Sequence, residues 1–372
     1  MQANQYTVFV ISSSNKKRRG SISERLTPIF YSDNFNMILV SRRINDNLFW
    51  KSTSYLLELL LKVNNGLRIF LLSNYNSRKI DLFVFSYFAI LYIKTKIKNQ
   101  NSKYLIHLVE PSEYIIRFAK KKQIKLIYEL NTSIESYFEN LKSNGTIYSI
   151  LRGNKSLYRH QKYCVQNAEK VIVPSCFVHE QISGYREEGV SVIPYYITNW
   201  KAQKEINGND IIRIGFVGNW TLNKGSQMYL DLATNLKTNG KFEFNAFGRV
   251  YSNSIDLSNI NHLGFLSREE IYNSIDVLFL ASWGEGSARV GYEAVSHGVL
   301  FVGSLESGLP FKKGSPWLKK HDDLHGFLDY FNALNHTILN EHSTQQREQL
   351  IAYTTGRYVN SVYGVYNELI RE

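Results

Sequence analysis

Cysteine is nearly missing: 372 residues contain two, Cys164 and Cys176. Their spacing builds neither a metal site nor a disulfide framework, so the chain reads as a reduced, cytoplasmic protein. Long apolar runs are missing too. The nearest, Leu82 to Ile93, is about a dozen residues, against the ~20 that a membrane-spanning helix needs. The opening residues, MQANQYTVFVISSS, carry no basic leader and no cleavage pattern, and read as a first strand rather than a signal peptide. There is no short-period repeat, no low-complexity tract and no recognised nucleic-acid-binding motif. What is left is a globular chain, 44% hydrophobic and 20% charged. It is long enough for two domains of roughly 180 residues.

Acidic residues are scarce in one half only. Residues 1–200 hold 28 Lys and Arg against 14 Asp and Glu, a net of +14; residues 201–372 hold 16 against 18, a net of −2. A basic half beside a near-neutral one points to an anionic neighbour: a phospholipid surface, a lipid-diphosphate acceptor or an acidic glycan. A generally Lys-rich proteome would leave the same imbalance with no partner at all.

The informative stretch is 277–303. Val277 to Ala281 is an apolar run short enough for a buried parallel strand. Ser282 to Ser287 is a polar, Gly-rich turn, and Ala288 to Ser296 reads as a helix with Gly298 placed for a left-handed C-terminal cap. Leu300 to Gly303 reads as the next strand. Such a β-α-β unit binds ligands at the carboxyl end of its strand. Two carboxylates frame that end, Glu285 in the turn and Glu293 eight residues on, inside the helix. The amides of Gly286 to Ala288, at the positive end of the helix dipole, suit an anion. The two carboxylates suit hydroxyls. Phosphate with polyol is the chemistry of a sugar nucleotide, although a solvated loop Glu and an exposed helix Glu would look the same in sequence.

A related turn opens the second half. Asn199 to Asp210 is polar and reads as a linker. Ile211 to Val217 is then a fresh strand, and Gly218-Asn219-Trp220-Thr221-Leu222-Asn223-Lys224-Gly225 leads into a helix over about 226–238. Lys224, at that helix start, is a candidate point charge for a diphosphate.

Residues 277–303 resemble the Glu-x7-Glu signature of glycosyltransferase family 4, the retaining sugar-nucleotide transferases of GT-B fold. The resemblance spans about residues 1–370 and is specific over 211–303. It implies an α/β protein of two Rossmann-like, doubly wound domains facing across a cleft. The acceptor domain is 1–198, the linker 199–210 and the nucleotide-sugar domain 211–354, with a last helix, about 355–372, returning to the first domain. By the resemblance, Glu285 contacts the donor sugar and Glu293 the nucleotide ribose. Gly286, Ser287, Ala288 and Arg289 line the same mouth, although a Phe-Gly pair usually stands at Ser287-Ala288. The family's Gly-Arg…Lys-Gly diphosphate grip maps onto Gly218, Asn219, Lys224 and Gly225, with Asn219 where the Arg usually stands. Gly248 and Arg249, after a strand at 242–247, are carried as donor-side residues. Gly264-Phe265-Leu266 matches the turn whose backbone recognises the base, ahead of a helix over 268–274. Catalysis would rest on Glu285 and Lys224.

In the first half, strands are expected at 6–11, 104–109, 124–130, 170–174 and 190–194. Strand or helix candidates lie at about 37–41, 52–63 and 68–72, and helices at 82–98, 113–122, 155–167 and 177–182. The first turn holds Lys16, Lys17, Arg18, Arg19, Gly20 and Ser21, followed by a capping box over Ser21 to Glu24. By the resemblance Gly20 and Ser21 approach the donor diphosphate, and the four cations would grip an anionic acceptor; a solvated loop has the same composition. Glu110, Glu129, Asn131 and Ser133, at two strand ends, are the other acceptor-side candidates. The family often places a His near the end of 124–130, and none lies between His107 and His160. His107 itself reads as a core residue. Helices at 324–334 and roughly 343–370 close the chain, the last with one apolar stripe.

The expected activity is hexosyl transfer from a nucleotide-sugar, UDP- or GDP-linked, to a hydroxyl with retention, in cell-surface polysaccharide or glycolipid synthesis. No Asp-x-Asp occurs, so no metal and no other cofactor is expected. Expected partners are the donor, a glycan or lipid-linked acceptor and, peripherally, an anionic membrane at its cytoplasmic face; nucleic acid is not expected. Two alternatives stay open. One is a GT-B nucleotide-sugar epimerase, whose acidic and Gly-Gly signature is not found here. The other is a degenerate transferase that binds nucleotide or glycan without catalysis.

Overall fold

The computed structural model describes residues 6–12, 25–31, 35–40, 77–97, 103–109, 111–132, 148–204, 211–250 and 257–372. The chain divides into two compact units. The first takes in Met1–Val173, Ile182–Ser191 and Ser361–Glu372; the second takes in Pro174–Gln181 and Val192–Asn360.

The first unit is built on strands β1 (Tyr6–Ile11), β2 (Asn36–Val40), β3 (Lys103–Leu108), β4 (Lys125–Glu129), β5 (Lys170–Val173) and β6 (Val190–Val192), in spatial order β2-β1-β3-β4-β5-β6. β1 to β5 pair in parallel, and Val8, Phe9, Leu105, Ile106, Leu126, Ile127 and Val171 are buried along their centres. Strands covered on both faces need such unbroken apolar runs, which is why they stood out in the sequence. Helices α1 (Ser77–Lys96), α2 (Glu113–Lys121) and α3 (Tyr148–Asn167) connect β2 to β3, β3 to β4 and β4 to β5. Ser112 starts α2 by accepting the Ile115 amide at 3.3 Å.

After β5 the chain enters helix α4 (Cys176–Ile182). The second unit's main sheet then begins. Its strands are β7 (Ile212–Val217), β8 (Phe242–Phe247), β9 (Asn261–Gly264), β10 (Val277–Leu280), β11 (Leu300–Ser304) and β12 (Leu318–Lys319), in order β12-β11-β10-β7-β8-β9, all parallel. Helices α5 (Ser226–Leu236), α6 (Arg268–Asn273), α7 (Arg289–Ser296), α8 (Leu324–Ala333) and α9 (His336–Leu350) flank it. Tyr229 of α5 is fully buried and its hydroxyl donates to the Ile214 and Asn245 carbonyls, both at 2.8 Å, tying helix to sheet. The α/β character and the two doubly wound sheets agree with the expectation from sequence.

Helix α7 ends as its sequence requires. Gly298 is left-handed at φ 76°, and the Gly298 and Val299 amides donate back to the Val295 and Ala294 carbonyls at 3.1 and 3.0 Å. The helix expected over 343–370 is instead two, α9 and α10 (Thr355–Arg371). Between them Tyr353 accepts the Ile197 amide at 2.8 Å, and the Thr354 hydroxyl accepts the Arg357 amide at 3.2 Å as a cap. The end of α10 belongs to the first unit, where Tyr363 donates to the Ile29 carbonyl at 2.7 Å. Of the stretch read as a linker, 199–204 packs on the second unit: the Lys201 amide donates to the Ser296 carbonyl at 2.8 Å and Lys204 meets Asp276 at 2.7 Å. Residues 205–210, the candidates at 52–63 and 68–72, and the Ser21–Glu24 capping box lie outside the described residues. Among the described residues no helix is long and apolar enough to cross a membrane.

Candidate functional site

Strand order locates the site. In the second sheet β7 comes first in the chain, β8 lies on one side of it and β10 on the other, so the connections diverge between β7 and β10. Ligands of open parallel sheets sit at that divergence, beyond the carboxyl ends of the strands. The loop after β7 is 218–225 and the loop after β10 is 281–288.

These loops are bolted together by backbone contacts. The Ser282 hydroxyl and Trp283 amide both donate to the Asn223 carbonyl, at 2.9 and 3.1 Å, and the Trp283 indole N–H donates to the Leu222 carbonyl. Gly225 is left-handed at φ 77° with the Ala281 backbone directly against it, so a side chain fits neither the conformation nor the space. Gly248, at φ 112°, lies against the Gly218 carbonyl, which joins the loop after β8 to the one after β7. The Trp220 amide donates to the Arg249 carbonyl at 3.0 Å across the same seam.

The consequence is that Lys224 and Glu285, 61 positions apart in sequence, form an ion pair. Their side chains are 33% and 20% exposed. Burial pushes the Lys224 ammonium down to about 8. Glu285 is held from behind, where its amide donates to the Glu306 carbonyl at 3.1 Å. Glu306 in turn takes the His321 side chain at 3.1 Å, and that bond raises the imidazole pKa; Trp283 stacks on His321 at 6.3 Å.

The second carboxylate, Glu293, lies on α7 with its side chain 17% exposed. Arg268 Nη2 and Arg289 Nε approach its Oε1 at 3.1 and 3.4 Å, and the Tyr272 hydroxyl lies 3.2 Å from its Oε2. Phe265, after β9, is 76% exposed and Leu266 40%.

No protein-family model matches the sequence, and no curated protein does. Solved structures do match. A sucrose-phosphate synthase from Thermosynechococcus elongatus is similar at TM-score 0.69 and 13% identity, over 98% of this chain and 99% of that one. The lipopolysaccharide outer core galactosyltransferase WaaB, in its apo form, is similar at 0.63 and 13%, over 98% and 99%. HepE of Anabaena, solved in complex with UDP, is similar at 0.58 and 13%, over 97% and 99%. The chain has the GT-B fold. At such identities the likeness carries the fold alone.

Within this GT-B fold, Gly218, Asn219, Lys224, Gly225, Gly248, Arg249, Phe265, Leu266, Glu285, Gly286 and Arg289 lie on loops or helix starts at the carboxyl edge of the second sheet, and Glu293 lies one turn inside α7. Part of the expected anion mouth is closed. The Ala288 amide is not free: it donates to the Ser307 carbonyl at 2.8 Å. The Ser287 hydroxyl is buried against the Tyr292 hydroxyl at 3.0 Å, and Gly286 is packed, its carbonyl accepting from Ser175 at 2.6 Å. The 3-10 turn at Leu305–Ser307 takes two of the loop's backbone donors, the Glu285 amide at the Glu306 carbonyl and the Ala288 amide at the Ser307 carbonyl.

On the first unit, Glu129 is 2% exposed and ion-paired with Arg25. His107 Nε2 sits 2.8 Å from the other Glu129 oxygen, and His107 Nδ1 is 2.7 Å from the Tyr366 hydroxyl. Burial alone raises the Glu129 pKa, but Arg25 and His107 outweigh it and hold the carboxyl below its ordinary value. His107 is a core residue, as read from sequence. Asn131 is half-buried. Lys16, Lys17, Arg18, Arg19, Gly20, Ser21, Glu110 and Ser133 lie outside the described residues. Sequence reading missed Arg268, Tyr272, Glu306 and His321. The Ser267 capping box marks where Arg268 begins a helix, but nothing local ties it to Glu293. Among the described residues no three His, Cys, Asp or Glu side chains converge as a metal site.

Proposed function

We propose that this protein is a retaining glycosyltransferase that moves a hexosyl group from a UDP- or GDP-sugar to a hydroxyl of a glycan or lipid-linked acceptor. The observation that carries the reading is the meeting of Lys224 with Glu285 at the divergence between β7 and β10, at the carboxyl edge of the sheet that also carries an exposed Phe265 after β9. A cation there balances the charge that builds on a departing diphosphate. The Glu285 carboxylate accepts from sugar hydroxyls once the diphosphate takes over Lys224. Glu293, fixed on both oxygens, accepts from the ribose, and Phe265 offers its ring to the base. In the step itself the bond from the anomeric carbon to the phosphate oxygen breaks, the acceptor oxygen bonds to that carbon, and the departing phosphate oxygen takes the acceptor proton. No enzymic nucleophile and no metal enters. HepE, solved with UDP, and WaaB, named as a galactosyltransferase of the lipopolysaccharide outer core, support a UDP-linked donor and a cell-surface role.

On the acceptor side, Lys94 and Lys96 of α1, Arg117, Lys120 and Lys121 of α2 and Arg159 of α3 are all exposed. This surface supports an anionic acceptor, or an anionic membrane at its cytoplasmic face. Equal binding to anionic and neutral vesicles at low salt would count against the membrane part. A second reading, nucleotide binding without transfer, is favoured by the inward-turned Ala288 amide and the neutral Asn219.

The test is a thermal-stability titration with UDP-, GDP- and ADP-sugars in EDTA, for wild type and Glu293→Ala. A ligand that binds the native state raises the melting temperature by mass action. One nucleotide-sugar should stabilise wild type, and Glu293→Ala should lose most of that shift. Stabilisation without any glycoside product moves the non-catalytic reading to the front. No shift with any donor ends the transferase reading.

A further inference from the structure

We propose that His321 is a positioning residue for sugar transfer: through Glu306 it holds the Glu285 carboxylate in place for the donor sugar. The proposal rests on the donor reading above and adds to it a residue from outside the two loops that carry Lys224 and Glu285. The Glu285 loop leans on the 3-10 turn at Leu305–Ser307. The Glu285 amide donates to the Glu306 carbonyl at 3.1 Å, and the Ala288 amide to the Ser307 carbonyl at 2.8 Å. Gly308, left-handed at φ 69°, closes the turn with the Gly286 carbonyl where a side chain would stand. A shift of the turn therefore carries Glu285 with it.

His321 grips the side chain of that turn. Its amide donates to Glu306 Oε2, and its Nδ1 lies against Glu306 Oε1, both at 3.1 Å, so one residue holds both carboxylate oxygens. The chain brings His321 there through β12. Leu318 and Lys319 pair in parallel with Gly303 and Ser304 of β11, so both strands deliver the residues that follow them to the same edge. Trp317 fixes the entry to β12: it is buried against the Phe311 and His342 rings, and its carbonyl accepts the Gly303 amide at 3.0 Å. The His321 ring also stacks on Trp283, with 6.3 Å between centroids and 22° between planes. Trp283 is bonded in turn to the Leu222 and Asn223 carbonyls, next to Lys224. His321 thus meets the Glu285 loop through Glu306 and the Lys224 loop through Trp283.

A carboxylate that accepts from sugar hydroxyls works only when its place is fixed to a fraction of an ångström. Loss of the imidazole donor leaves the half-buried Glu306 Oε1 without that partner and frees the turn to move. The consequence falls on the sugar. A nucleoside diphosphate has no sugar hydroxyls for Glu285 to meet, so its binding does not depend on where Glu285 stands.

That split is the test. UDP and GDP, and the sugar nucleotides UDP-glucose, UDP-galactose, UDP-N-acetylglucosamine and GDP-mannose, would be titrated by calorimetry into wild type, His321→Phe and His321→Asn. His321→Phe keeps a ring beside Trp283 and removes the donor to Glu306; His321→Asn keeps an N–H donor and removes the ring. His321→Phe should weaken the preferred sugar nucleotide about tenfold and leave its nucleoside diphosphate within about twofold. His321→Asn should recover most of the loss. If His321→Phe unfolds, Glu306→Gln reaches the same contact from the other side and should give the same split. Equal losses for diphosphate and sugar nucleotide would make His321 a general structural residue and overturn the positioning role alone. Unchanged sugar-nucleotide affinity in His321→Phe would do the same, as would a loss confined to His321→Asn, which would assign the effect to the Trp283 stack. Wild-type protein that binds none of the sugar nucleotides overturns the donor reading and the positioning role together.

Discussion

At the carboxyl edge of the first sheet Glu129 is 2% exposed and enclosed by Arg25 and His107; at the same edge of the second sheet the Lys224 and Glu285 side chains are 33% and 20% exposed. Both clusters join a cation and a carboxylate from distant parts of the chain, and both cap parallel sheets of six strands. They differ in access to water. A sealed ion pair is stabilised by protein groups rather than by water, so its worth is structural and its loss leaves a stranded charge. A part-open pair costs little to break and can exchange one partner for a ligand. The same architecture therefore has one edge closed for stability and one left open for binding.

The difference breaks most visibly in stability. Glu129→Gln leaves the Arg25 guanidinium buried without its counter-charge, and about 3–5 kcal/mol should be lost in denaturant unfolding. Glu285→Gln should cost no more than about 1 kcal/mol. Similar losses at the two sites would erase the distinction. Next in size is catalysis. Lys224→Met should lower transfer about a hundredfold or more while leaving the unfolding midpoint nearly unchanged. A variant that unfolds early instead would make Lys224 a structural cation like Arg25.

Gly248→Ala probes the scaffold of the open edge. A methyl group there faces the Gly218 carbonyl on a left-handed backbone, which should cost about 1–3 kcal/mol and weaken nucleotide binding along with stability. The smallest effect is a pH dependence. Only protonated Lys224 balances a diphosphate, and its pKa in the free protein is pushed down to about 8. Ligand binding raises that pKa, so affinity for UDP or GDP is flat below about 8. It should then fall up to about tenfold per pH unit above it, until the pKa of the complex is reached. Lys224→Arg, which stays charged, should stay flat through the same range. A wild-type profile flat past pH 9 would mean that Lys224 does not meet the phosphates.

Much of the open edge was legible in the sequence because it is local. The run Val277–Leu280, the polar turn, the α7 period and Gly298 each declare themselves within a few residues, and Lys224-Gly225 does the same after β7. What stayed hidden depends on contacts made across the chain. The Glu129 partners, Arg25 and His107, lie far from it in sequence, so an acceptor-side candidate proves to be an enclosed ion-paired group. Arg268 meets Glu293 only because α6 and α7 lie side by side, and the Ala288 amide is used because the Leu305–Ser307 turn reaches it. β12 is two residues long and has no period to read. The break between α9 and α10 is signalled by Thr354-Thr355-Gly356, but the apolar stripe read over 358–370 made the whole stretch look like one helix.

The most direct measurement of the central claim is hydrogen–deuterium exchange of the full chain with and without the nucleoside diphosphate that stabilises it. Protection is expected in peptides covering 218–226 and 281–290, with a smaller change at 264–268, and no change around Arg25, His107 and Glu129. Protection confined to the first unit, or its absence from both loops of the second, would contradict a donor site at the edge where Lys224 meets Glu285.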